Sequence, residues 1–135
     1  MPLDGAAGRR GISLFVSVFY RVHRDGNASW RVDVGGYRYD VLDRDDREIL
    51  AYHWHPAALG PPFPHVHLTG RLPAIEVGPG LPPVALGDMH LPTGRITFAA
   101  VARLLIQEFG VAPRRPEWAA EIEIADRDER RLWTD

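Results

Sequence analysis

A chain of 135 residues with a formal net charge of −2 and no cysteine excludes several classes of protein at once. It has the size of one ordinary domain, holds neither disulfides nor thiolate metal sites, and carries neither the basic excess of a general nucleic-acid binder nor an acidic tail. No stretch approaches the ~18 apolar residues of a membrane span, and the N-terminus lacks the layout of a signal peptide, so a cytoplasmic protein with no membrane partner is expected.

Residues 1–11 read as a flexible N-terminal tail and residues 12–135 as a single domain. From residue 12, Ile12, Leu14, Val16, Val18, Tyr20 and Val22 share one face of a strand, while Phe15 and Phe19 put aromatics on the other. Asp25-Gly26-Asn27 is a turn signal. Trp30, Val32 and Val34 alternate with Arg31 and Asp33 in a second strand. Gly35-Gly36 is a bulge or a turn. Tyr37, Tyr39 and Val41 alternate with Arg38 and Asp40 in a third. The charged loop at 43–47 leads into a fourth strand at 48–55, and a fifth runs over 65–70. Short connections make an antiparallel meander the economical topology.

Residues 71–89 are rich in Pro and Gly and leave room for only a short edge strand at 74–77. Thr97 caps a helix running to about Phe109, with Phe98, Val101, Ala102, Leu105 and Phe109 at helical spacing and Gly110 as its stop. Beyond Pro116 two readings stand: a second helix with Trp118, Ile122, Ala125 and Leu132 on one face, or a strand over 120–125. The expected fold is α+β, an antiparallel β-sheet of five to six strands with one or two C-terminal helices packed on one face. Leu50, Tyr52, Trp54, Val66 and Leu68 are its expected core against the first helix.

Four of the six histidines fall in two His-x-His pairs, His53/His55 and His65/His67. In each pair the histidines alternate with apolar residues, so matching the apolar faces of two antiparallel strands puts all four imidazoles on one face. Cross-strand Cβ atoms are then roughly 4.5–5.5 Å apart. The intervening Pro-rich loop, 56–64, is expected to form a rim over this face, with Phe63 packed on Trp54 or a neighbouring apolar residue. Such a block suits a divalent metal such as zinc, with Asp88 or His90 adding a ligand from a later loop. It equally suits metal-free acid–base chemistry, in which one histidine takes a proton and another gives one. Arg95, just before the helix, is a candidate partner for a substrate phosphate or carboxylate. Solvent-facing polar positions of a non-catalytic interaction domain are the third reading.

Two motif families fit only in part. His67-Leu68-Thr69 matches half of the signature of two-histidine phosphoesterases, but His90-Leu91-Pro92-Thr93 has the wrong spacing for the other half. The glutamate that cupins place after a His-x-His pair is absent, since residues 56–62 contain no acid.

Tyr37-Arg38-Tyr39-Asp40, a charged turn, a strand carrying Tyr52 and ending near Pro56, then Phe63-Pro64-His65, His67 and a helix follow one another in order. Over about residues 37–109 this order resembles the TumE-like toxins of bacterial toxin–antitoxin pairs. The resemblance implies a small RNA-targeting toxin, a ribonuclease or other phosphodiesterase, neutralised by an antitoxin protein. His65 and His67 are the residues that carry over. The family places an arginine and an acid on either side of the tyrosine of the fourth strand, where this chain has Ala51 and His53.

Overall fold

The computed structural model describes residues 2–3, 11–24, 26, 29–56, 60–68, 74–76, 79–80 and 82–133. The strands are β1 (Pro2–Leu3), β2 (Ile12–Arg24), β3 (Trp30–Leu42), β4 (Glu48–Trp54), β5 (His65–Leu68) and β6 (Leu91–Pro92). They form one antiparallel six-stranded sheet in sequence order, and the helices α1 (Phe98–Gln107) and α2 (Trp118–Arg130) follow it. The fold is the expected α+β. Part of the expected N-terminal tail, Pro2–Leu3, pairs with Ser13 and Ile12, and residues 4–10 lie outside the described residues.

The two strands expected over 30–34 and 37–41 are one. Phe19 faces Gly36 and Tyr20 faces Val34, so Gly35 is the unopposed residue of a bulge and the chain keeps its direction. Gly36 is required for a different reason. A Cβ there would lie 2.7 Å from the carbonyl oxygen of Trp54, so only glycine lets β3 lie against the end of β4. The β3–β4 turn is built by Asp43, whose Oδ1 accepts the amides of Asp45 at 2.8 Å and Arg47 at 3.0 Å. The edge strand expected at 74–77 is a single bridge between Ile75 and Val84, away from the main sheet, and residue 77 lies outside the described residues.

One face of the sheet is apolar because alternation puts Leu14, Tyr37, Tyr39, Val41 and Trp54 on the same side. Val101 and Leu105 of α1 join them in one core, with Leu50 and Tyr52 half-buried at its border. Tyr37 and Tyr39 stack at 4.9 Å between ring centroids, and the Tyr37 hydroxyl accepts the amide of Ile96 at 2.9 Å. Val66 and Leu68, expected in this core, are only half-buried at the short edge of the sheet. Phe98 is exposed although its ring still meets Tyr39.

Thr97 caps α1 as expected, its hydroxyl oxygen accepting the amide of Ala100 at 2.9 Å. After Gln107 the backbone leaves the helix, and Gly110 takes the left-handed conformation, φ 68°, while the amide of Val111 reaches back to the carbonyl of Leu105. The segment from 118 onward is helix, not strand. Its half-buried positions, Trp118, Ile122, Asp126 and Glu129, recur every three to four residues. Ala125 and Leu132, expected on the buried face, are exposed, because that face carries two carboxylates that α1 needs.

Those carboxylates complete the fold. Glu129 accepts the amides of Phe98 at 2.8 Å and Ala99 at 3.4 Å and the hydroxyl of Tyr39 at 3.4 Å. Asp126 accepts the Thr97 hydroxyl and holds Arg130 at 2.9 Å. Two anions therefore sit at the positive end of the α1 dipole and satisfy amides that have no partner within the helix. Replacing Glu129 by alanine should lower stability by about 0.5–2 kcal/mol, the range for loss of a helix cap. Urea unfolding measures it, and an unchanged midpoint would remove Glu129 from this role.

Candidate functional site

The opposite face of the sheet is polar. Pairing of β4 with β5 sets His53 against His65 and Ala51 against His67. His55 follows the last residue of β4, and its side-chain parity matches that of His53. His90 comes from the segment before β6. All five imidazoles meet: His53–His55 at 5.6 Å, His53–His67 at 5.0 Å, His65–His67 at 5.0 Å, His65–His90 at 5.0 Å and His67–His90 at 4.5 Å between ring centroids. His53, His65 and His67 each offer a nitrogen, and these three atoms lie within 4.8 Å of one another.

Two of these rings are held from behind. The Nε2 of His53 lies 2.9 Å from Oδ1 of Asp40. Donation of its proton to that carboxylate leaves the Nδ1 lone pair available. Asp40 is 3% exposed, and its Oδ2 takes the guanidinium of Arg38 at 2.6 Å. The Nδ1 of His65 donates to the carbonyl of Phe63 at 2.9 Å, which leaves its Nε2 available. Orienting bonds of this kind are typical behind metal-binding imidazoles, where they fix the tautomer and ring direction.

Burial acts to raise the Asp40 carboxyl, but hydrogen bonds from His53 and Arg38 outweigh it and hold the group below its usual range. His67 is pushed down to about 4, by burial first and then by repulsion from His53, His90 and His65. His55 is lowered for similar reasons, burial leading and His53 and His65 adding to it. Both shifts disfavour the protonated form in the folded chain. The unfolded chain, with histidines near 6.5, therefore binds protons that the folded chain does not. Stability of the metal-free protein should be full above that value and fall as pH drops toward about 4, the Asp40 contribution being lost lower still. Urea midpoints at pH 7.5 and 4.5 test this, and equal midpoints would contradict it.

Asp88 and Arg95, the other expected site residues, are not part of the converging trio of imidazoles. Asp88 sits in a short 3₁₀ turn, Leu86–Asp88, is exposed, and belongs to neither of the ligand groups found among the described residues. Arg95 is stacked over the indole of Trp54 at 4.5 Å, on the apolar side of the sheet and away from the histidines. The sequence favours this because Trp54 alternates with His53 and His55, and an indole face attracts a guanidinium. Phe63 packs edge-on against His65 at 5.9 Å rather than on Trp54, so this end of the 56–64 loop borders the histidine face. Residues 57–59 lie outside the described residues.

Arg38 and Asp40 are the site residues that motif reading missed. Their signal was present: they are the polar positions of the strand joined to 48–55 by a tight charged turn. Asp40 also belongs to a second group with Glu48 and His53, whose ligand atoms again lie within 4.8 Å of one another. Its oxygens, however, are already engaged by His53 and Arg38. Around the cluster, Arg38 lies over the ring of Phe15 at 5.4 Å and Phe19 meets His55 at 6.3 Å.

No family model, no curated protein and no solved structure matches the chain. The function therefore has to be read from the site itself.

Proposed function

We propose that this chain is a divalent-metal protein, with zinc its first candidate and metal-dependent hydrolysis its expected chemistry. One observation carries the reading: the nitrogens of His53, His65 and His67 converge within 4.8 Å from two adjacent strands. Three imidazoles form a donor set that suits zinc, and three protein ligands leave a position open for water or substrate. His90, whose ring meets those of His65 and His67 but lies outside the converging trio, borders that open position. Asp40 and the Phe63 carbonyl orient two of the three ligands. A bound divalent ion would supply Lewis acidity at this face.

Metal analysis of protein purified without a polyhistidine tag tests the reading. Stoichiometric zinc, or its uptake by apoprotein in competition with a chelator, is expected. No uptake at any divalent ion would overturn it. Asp40→Asn removes the carboxylate behind His53 and should weaken metal affinity by roughly 10–100-fold, the usual cost of losing such a partner. Competition titration gives the ratio, and parental affinity in Asp40→Asn would show that Asp40 does not act through His53.

The second reading is a toxin-like ribonuclease that uses histidine acid–base chemistry without metal, with RNA as substrate and an antitoxin protein as partner. The carboxylate-bonded His53 beside a neutral His67 favours it, since such chemistry needs a proton donor and a proton acceptor. Against it, an imidazole that protonates only near pH 4 is a weak base at neutral pH but a ready ligand. RNA cleavage undiminished by chelator, together with growth arrest on overexpression, would favour this second reading over the first.

A further inference from the structure

β2 and β3 run on past the rest of the sheet. β4 pairs only with residues 37–42 of β3, and β1 only with Ile12 and Ser13 of β2. Beyond the bulge, residues 20–24 and 30–34 form a two-stranded arm. The tail of the helical layer reaches its root, where the amide of Val34 donates to the carbonyl of Leu132 at 2.9 Å.

The two faces of the arm differ. On the histidine side, His23 and Arg31 both approach Asp33, at 3.4 Å and 3.2 Å, and water suits this face. On the other side, Tyr20, Val22, Trp30 and Val32 form an apolar ladder with relative exposures of 65%, 56%, 72% and 36%, ended at the tip by exposed Arg24 opposite Trp30. Val16 and Phe98, also exposed, continue it along the same side of the sheet. A two-stranded ribbon alone is marginally stable in water, and a contiguous apolar patch of a few hundred Å² marks an interaction surface.

We propose that this arm is a homodimer contact, its apolar face covered by the same face of a second copy of this chain. Area supports the pairing. A buried aromatic contributes about 150–250 Å². Tyr20 and Trp30 with the neighbouring valines thus bring each copy to several hundred Å², and two copies to the order of 1,000 Å², where specific interfaces begin. A two-fold contact needs one surface that complements itself, and its largely apolar centre matches the homodimer class. A net charge of −2 per chain opposes the association little. Pairing here leaves the histidine face open, so it holds whatever that face binds.

Sedimentation equilibrium of the full chain, from about 1 to about 100 μM to span moderate dissociation constants, is the test. The parent should reach the dimer mass. The double variant Tyr20→Ser, Trp30→Asp should stay monomeric with its far-ultraviolet circular dichroism unchanged. Should that variant fail to fold, Val22→Arg is judged by the same criterion. A parent that is monomeric throughout, or a folded variant that keeps the dimer mass, overturns the proposal.

Discussion

Replacing His65 and His67 together by alanine should abolish stoichiometric metal binding and leave the domain folded. The two residues supply two of the three converging nitrogens, and His53 alone cannot hold an ion in competition with a chelator. The fold should survive because neither ring belongs to the apolar core. His67 is half-buried, and no side-chain hydrogen bond to its ring is seen among the described residues. His65 gives up one bond to the Phe63 carbonyl, worth about 0.5–1.5 kcal/mol. Elemental analysis and circular dichroism on the same preparation decide the matter. A folded double variant that still carries metal would sink the assignment. A folded, metal-free variant that still cleaves RNA like its parent would transfer the case to the metal-free reading.

Leu105→Ala should cost about 2–5 kcal/mol, the range for a buried leucine whose cavity cannot collapse. Leu105 is 3% exposed and belongs, from α1, to the same buried core as the stacked Tyr37 and Tyr39. Two rigid rings in face-to-face contact leave little freedom to fill the space. The same leucine is remote from the histidines, so metal affinity measured on the folded fraction should not change. A loss below about 1 kcal/mol in urea unfolding would place the main helix–sheet contact elsewhere.

Period-two alternation was strong enough in this chain to announce the long strands, the apolar side of the sheet and the shared face of His53, His65 and His67. Thr97 and Gly110 marked the first helix through capping chemistry that is local in sequence. What stayed hidden depended on distant contacts. Gly35 was ambiguous because a bulge and a turn use the same residues, and only pairing with Phe19 and Tyr20 separates them. The helix over 118–130 was ambiguous because Glu121-Ile122-Glu123-Ile124 alternates like a strand. Its true face is set by Asp126 and Glu129 serving the start of α1, which polarity alone does not reveal. Arg95 was misplaced because its stacking on Trp54 joins segments far apart in the chain, although alternation already gave the side that Trp54 faces. Asp40 was legible in parity but not in role, since its bond to His53 spans two strands.

The carboxylates of α2 also bear on how the protein comes off the ribosome. α1 lies entirely N-terminal to the residues that neutralise its exposed amides, and the sheet that α1 covers is N-terminal to both. While residues 126–132 are still in the exit tunnel, Thr97 lacks Asp126, the amides of Phe98 and Ala99 lack Glu129, and Val34 lacks its bond to Leu132. Vectorial synthesis can therefore assemble the meander early but cannot lock the first helix against it until this late segment emerges. A chain stalled before residue 126 should expose its tyrosine-lined sheet to chaperones and proteases for as long as the stall lasts.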